Sequence, residues 1–80
     1  MEDFEIVRHI DDLAGEEHRL ELSHQGQSLS DEELARLRAI EVALDQCWDL
    51  LRQRRARRQV GLDPNDAETR SEAVVEDYRQ

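Results

Sequence analysis

The stretch LSDEEL, residues 29–34, decides the fold because it contains every element of a helix start. Ser30 and Glu33 have the spacing of a capping box, in which each side chain bonds to the backbone amide of the other residue. Leu29 and Leu34 flank this box at the two positions of a hydrophobic staple. The sequence therefore predicts that a helix begins at residue 31.

From this start, apolar residues recur at intervals of three and four, which is typical of one helix face in a bundle or coiled coil. They are Leu34, Leu37, Ile40, Leu44, Cys47, Trp48 and Leu51. Strong helix formers continue toward Gly61, a residue suited to a helix end. The predicted helix covers roughly residues 31–59 and is about 43 Å long at 1.5 Å per residue.

A second apolar stripe precedes the cap and predicts a helix near residues 3–23. Its main residues are Ile6, Ile10, Leu13 and Leu20. The polar residues 25–28 break this stripe, so we expect a turn there. Two amphipathic helices joined by a short turn fold back on each other as an antiparallel hairpin. In that hairpin Ile6 should lie opposite Trp48 and Leu51.

The C-terminal part is shorter and acidic. Asp63 and Pro64 have the residue types of an N-cap and a first helical position, which predicts a short helix near residues 64–70. Residues 71–80 fit either a frayed tail or a short docking segment. We therefore divide the chain into a helical hairpin, residues 1–61, and a short helix with an acidic tail, residues 62–80.

The composition favours an all-α protein and argues against a pocket enzyme. Of the 80 residues, 39% are charged and 4% are aromatic, which is typical of long solvated helices. A chain of this length buries only about 60% of its unfolded surface, so a core of its own is marginal. We accordingly expect no enzymatic activity, no catalytic residue and no cofactor.

A lone hairpin leaves apolar residues uncovered, because Val42, Ala43 and Leu50 fall outside the main stripe and widen it. The economical solution is a homodimer in which two hairpins form a four-helix bundle. A monomer whose third segment folds back is the alternative. The candidate interface consists of Leu37, Leu44, Trp48, Leu50 and Leu51.

The net charge of −9 disfavours nucleic acid and anionic membranes as partners over the whole surface. Residues 52–60 are the exception, since they carry five arginines and no acid. The candidate polyanion contacts are Arg52, Arg54, Arg55, Arg57 and Arg58. Two interpretations stay open: these arginines bind a polyanion such as nucleic acid, or acidic residues near the start of the first helix neutralise some of them.

Other candidate chemistry is sparse. Glu21 and His24 have the Glu-x-x-His spacing of bundle metal sites, but the chain contains no second such pair. Cys47 lies on the packing stripe, which favours a small buried side chain over a nucleophile. The N-terminus lacks the basic and apolar regions of a signal peptide, and no stretch is apolar enough to cross a membrane, so we expect a cytoplasmic location.

Two blocks of the chain, taken together, carry a resemblance to a known family. They are EEHRL at residues 16–20 and LDQCWDLLRQRRA at residues 44–56. They resemble an actinobacterial family of short proteins known as domain of unknown function 2630. The resemblance extends to Gly61, to Asp63 with Pro64, and to VEDY at residues 75–78. It implies an actinobacterial source, and it implies no activity, cofactor or catalytic residue because the family has none assigned.

The sequence thus favours a non-enzymatic interaction module that associates with itself and with an unidentified protein partner. A nucleic-acid or ribosome-associated accessory protein acting through the arginine run is the first alternative. A small metal-binding helical bundle is the second.

Overall fold

The computed structural model describes residues 2–22 and 28–79, with side chains up to residue 75. It consists of α1 (Asp3–Leu22), α2 (Asp31–Gln59), a 3₁₀ turn (Pro64–Asp66) and α3 (Glu72–Arg79). These described parts contain no strand, so the predicted all-α class with two long helices and a short third is confirmed. The predicted turn covers residues 25–28, of which residues 25–27 lie outside the described residues.

Both ends of α2 have the local interactions that the sequence predicts. The Ser30 hydroxyl accepts a hydrogen bond from the Glu33 amide at 3.1 Å, and the Glu33 carboxylate accepts one from the Ser30 amide at 3.0 Å. At the other end Gly61 has a φ of 78°, and the Leu62 amide donates to the Arg57 carbonyl at 2.8 Å. This is a Schellman motif, which stops the helix at a glycine.

The two long helices pack antiparallel. Asp3 at the start of α1 pairs with Arg54 and Arg58 near the end of α2, whereas Glu16 pairs with Arg36 near the beginning of α2. Between these ion pairs lies a core cluster of three buried residues, with four partly buried residues packed against it. The cluster is Ile6, Ile10 and Leu50, and the packed residues are Leu44, Cys47, Leu51 and Ala67.

The core corrects two expectations for α2. Leu50, which the stripe analysis placed outside the seam, is only 8% exposed and packs with Ile6. Trp48, which was expected opposite Ile6, is 49% exposed. The two residues lie about 200° apart around the helix, so the rotation of α2 that buries Leu50 turns Trp48 toward solvent. The buried side is displaced toward Leu50 because the C-terminal segment also packs there.

The structure of this C-terminal segment differs from a third expectation, the helix near residues 64–70. The predicted helix near residues 64–70 is limited to the turn Pro64–Asp66, where Asp63 accepts a hydrogen bond from the Asn65 amide at 2.9 Å. The longer helix is α3, which packs on α2 and buries Val75 to 1% exposure. The segment therefore folds back, as in the monomer alternative. The molecule measures 50 × 25 × 17 Å.

Candidate functional site

One side of the hairpin carries a row of apolar side chains that the other described parts of the chain cover only in part. Leu37, Leu44 and Leu51 recur every seven residues on α2, and each is half-buried. Trp48 lies beside this row and is 49% exposed. We call this surface, including Val7 of α1, the open face.

Val7 belongs to the open face because of its position around α1. Glu5 and His9 line a cleft on the flank of α1 that faces Leu50. Val7 is about 200° from both of these residues, so it lies on the opposite flank, next to the Trp48 side of α2. It is 44% exposed. The open face thus spans both long helices.

The five arginines of residues 52–60 do not form one patch. Arg54 is 4% exposed, and its guanidinium binds the Asp3 carboxylate, the Pro64 carbonyl at 3.2 Å and the Asn65 side chain at 3.1 Å. Arg58 binds the same Asp3 carboxylate at 2.7 Å. Hydrogen bonds from Arg58 and Arg54 hold the pKa of Asp3 below its ordinary value. Both arginines therefore have structural roles.

The other three arginines point in different directions. Arg52 is exposed and 4.0 Å from the Asp49 carboxylate. Arg55 is exposed, and its helical position places it on the open face, two turns of α2 after Trp48. Arg57 lines a shallow groove with Val60 and Leu62. Within the described residues, Arg55 and Arg57 form no ion pair. A polyanion would find these charges on two separate surfaces.

A polar stripe on α2, which the sequence analysis missed, holds the C-terminal segment in place. Gln46 donates to the Arg70 carbonyl at 3.1 Å, and Gln53 donates to the Glu68 carbonyl at 2.7 Å. Asp49, buried between them, accepts a hydrogen bond from Gln53 at 2.9 Å and lies 3.5 Å from the Arg70 guanidinium. The signal was present in the sequence: three polar residues at a three-four spacing on one side of α2.

A cleft of about 270 Å³ lies between α1, α2 and the C-terminal segment. Its floor is apolar and includes Cys47, while Glu5, His9 and Thr69 contribute polar groups. Burial raises the pKa of the Cys47 thiol, so this group stays protonated at neutral pH and is a poor nucleophile. Cys47 is therefore a packing residue of the cleft floor and not an activated nucleophile.

The candidate metal pair cannot be placed as a whole, since His24 lies outside the described residues. Across the parts of the chain that are described, no three His, Cys, Asp or Glu side chains come together in a group that could hold a metal ion. In the same parts, none of the helices combines the length and apolar character that a membrane span requires.

Comparison with known proteins identifies the family of this chain. A family model described as protein of unknown function (DUF2630) matches residues 2–80. The chain belongs to the DUF2630 family. The resemblance inferred from residues 16–20 and 44–56 is thereby confirmed, and it brings no established activity.

The relatives of this DUF2630 protein are mycobacterial. Uncharacterized proteins from Mycobacterium bovis and from two strains of Mycobacterium tuberculosis are each 54% identical to it over 78 residues. Each match covers 95% of this chain and 88% of the relative. No solved structure matches the chain.

Proposed function

We propose that this DUF2630 protein is a non-enzymatic interaction module that forms a homodimer through its open face. The half-exposed Trp48 carries the proposal. Tryptophan is enriched among the residues that dominate binding energy at protein interfaces, and it is an unusual residue to leave in water. Here it lies beside the half-buried residues Leu44 and Leu51, so the apolar surface is continuous.

The architecture supports pairing through this face. The C-terminal segment covers one flank of α2 and α1 covers another, and neither of them covers the half-exposed Trp48. Two hairpins placed face to face make a four-helix bundle, an arrangement in which each hairpin covers the other. Leu50 of the candidate interface is not part of this surface because the hairpin core already buries it.

Replacing Trp48 tests the proposal. We expect Trp48→Ala to weaken the dimer about 30-fold, the loss typical of a central interface tryptophan, while helicity by circular dichroism is unchanged. Light scattering across a range of protein concentrations measures the affinity. The matched control is Phe4→Ala, since Phe4 is also an exposed aromatic residue but lies on the outer side of α1. Equal effects of the two variants would contradict the proposal.

Polyanion binding is the second candidate. The exposure of Arg52 and Arg55 supports it, as does the position of the half-buried Arg57 in a surface groove. Its test replaces these three arginines with glutamine and leaves Arg54 and Arg58 in their structural roles. If the module binds nucleic acid, the wild-type protein is retained on immobilised DNA or RNA in a salt-dependent way and the variant is not. Equal retention of both proteins would exclude this function.

A further inference from the structure

Two charged residues on the open face, Glu41 and Arg55, are arranged symmetrically about Trp48. Glu41 lies seven residues before Trp48 and Arg55 lies seven residues after it. Seven residues are close to two helical turns, so all three side chains share one side of α2. Glu41 and Arg55 are exposed, and neither forms an ion pair with another described residue. Each lies about 10 Å from Trp48 along the helix axis.

We propose that the partner is a second copy whose α2 runs antiparallel, related by a two-fold axis at Trp48. This inference rests on the proposed function and specifies its geometry. An axis perpendicular to the helix places the residue seven positions before Trp48 opposite the residue seven positions after it in the other copy. Glu41 of each copy then faces Arg55 of the other, which gives two equivalent ion pairs.

The apolar residues of the open face are compatible with the same two-fold axis. Leu44 lies four residues before Trp48 and Leu51 lies three residues after it, so the axis brings Leu44 of one copy next to Leu51 of the other. A parallel arrangement of the two α2 helices would instead place Glu41 against Glu41 and Arg55 against Arg55. Like charges facing each other across an interface disfavour that arrangement. The charge pattern therefore selects the antiparallel dimer.

Charge reversal tests this geometry directly. We expect Glu41→Arg alone, or Arg55→Glu alone, to weaken the homodimer about tenfold, because both ion pairs become repulsive. The double variant E41R/R55E restores both pairs and should dimerise as the wild type does. An equimolar mixture of the two single variants should form the heterodimer preferentially, since every facing pair is then of opposite charge. Native mass spectrometry resolves these species.

Two variants of matched charge serve as controls. Asp12→Arg and Arg8→Glu make the same changes on the side of α1 opposite its buried residues, where both side chains are exposed. They should leave the dimer affinity within about twofold and show no preference for the heterodimer. A wild-type dimer that is insensitive to charge reversal at residues 41 and 55 would overturn the antiparallel geometry and leave self-association standing. A wild-type protein that stays monomeric would overturn the proposed function itself.

Discussion

Arg54 joins three parts of the chain through one guanidinium group. It reaches Asp3 at the start of α1 and both the Pro64 carbonyl and the Asn65 side chain in the 3₁₀ turn. A buried arginine is tolerated when its donors are paired, and a planar guanidinium can serve several acceptors at fixed angles. Arg54 therefore positions the N-terminus of α1 and the C-terminal segment against the same turn of α2.

Removing this group should destabilise the monomer fold. We expect Arg54→Ala to lower the free energy of unfolding by about 1–3 kcal/mol, because Asp3 and the acceptors in the turn lose a buried donor that joins them to α2. The control is the neighbouring variant Arg55→Ala. It should change the free energy of unfolding by no more than about 0.5 kcal/mol, because Arg55 is exposed and forms no ion pair within the described residues. Urea unfolding in dilute protein, where self-association is minimal, measures both. Equal destabilisation by the two variants would contradict the structural role of Arg54.

The sequence could not distinguish Arg54 from its neighbours. All five arginines have the same side chain and lie close together on one helix. The acceptors that distinguish them come from residues 3, 64 and 65. Asp3 was among the acidic residues near the predicted start of α1, so partial neutralisation was foreseeable. Which arginines it binds depends on the axial offset and rotation of the two helices, and those follow from packing.

At the scale of elements, the polar stripe of α2 explains why the C-terminal segment docks. Backbone carbonyls at residues 68 and 70 lack helical partners and accept hydrogen bonds from Gln53 and Gln46. Asp49 supplies a buried negative charge next to Arg70. Docking of the segment then brings Val75 of α3 into a buried position. The residues that make these polar contacts, 68 and 70, thus come directly before α3 in the sequence.

We expect Asp49→Ala to release this segment without melting the hairpin. The variant removes the acceptor of Gln53 and the ion-pair partner of Arg70, so local opening of residues 68–79 should become easier by about 1–3 kcal/mol. Hydrogen exchange of the Val75 amide, which bonds to the Ser71 carbonyl, reports on this opening. The Ile10 amide in α1 serves as the internal control. Equal acceleration of exchange at both amides would show that Asp49 supports the whole fold instead.

The predictable elements were those specified by local sequence. The capping box at Ser30 and the glycine at residue 61 fix the bounds of α2 through neighbouring backbone groups, so they could be predicted without tertiary information. α3 was missed as a defined helix because an eight-residue helix is marginal alone and depends on packing against α2. The rotation of α2 that buries Leu50 and exposes Trp48 depends on the same packing.

At the scale of the whole molecule, α1 and the C-terminal segment pack on two flanks of one central helix. A chain of 80 residues can build only a small core, and the open face is one of the apolar surfaces that folding leaves in contact with water. In the proposed dimer, a second copy covers this face and extends the core across both hairpins. Folding thus buries the Leu50 side of α2 and the proposed pairing covers its Trp48 side, with Leu44 and Leu51 at the boundary between the two.

The most direct test of the account is the fluorescence of Trp48, because it is the single tryptophan in the chain. Emission and iodide quenching should be measured on the wild-type protein over a wide concentration range. We expect a blue shift and reduced quenching as concentration rises, since the second copy removes Trp48 from water. Spectra and quenching that stay those of an exposed tryptophan, while light scattering reports a dimer, would contradict pairing through the open face.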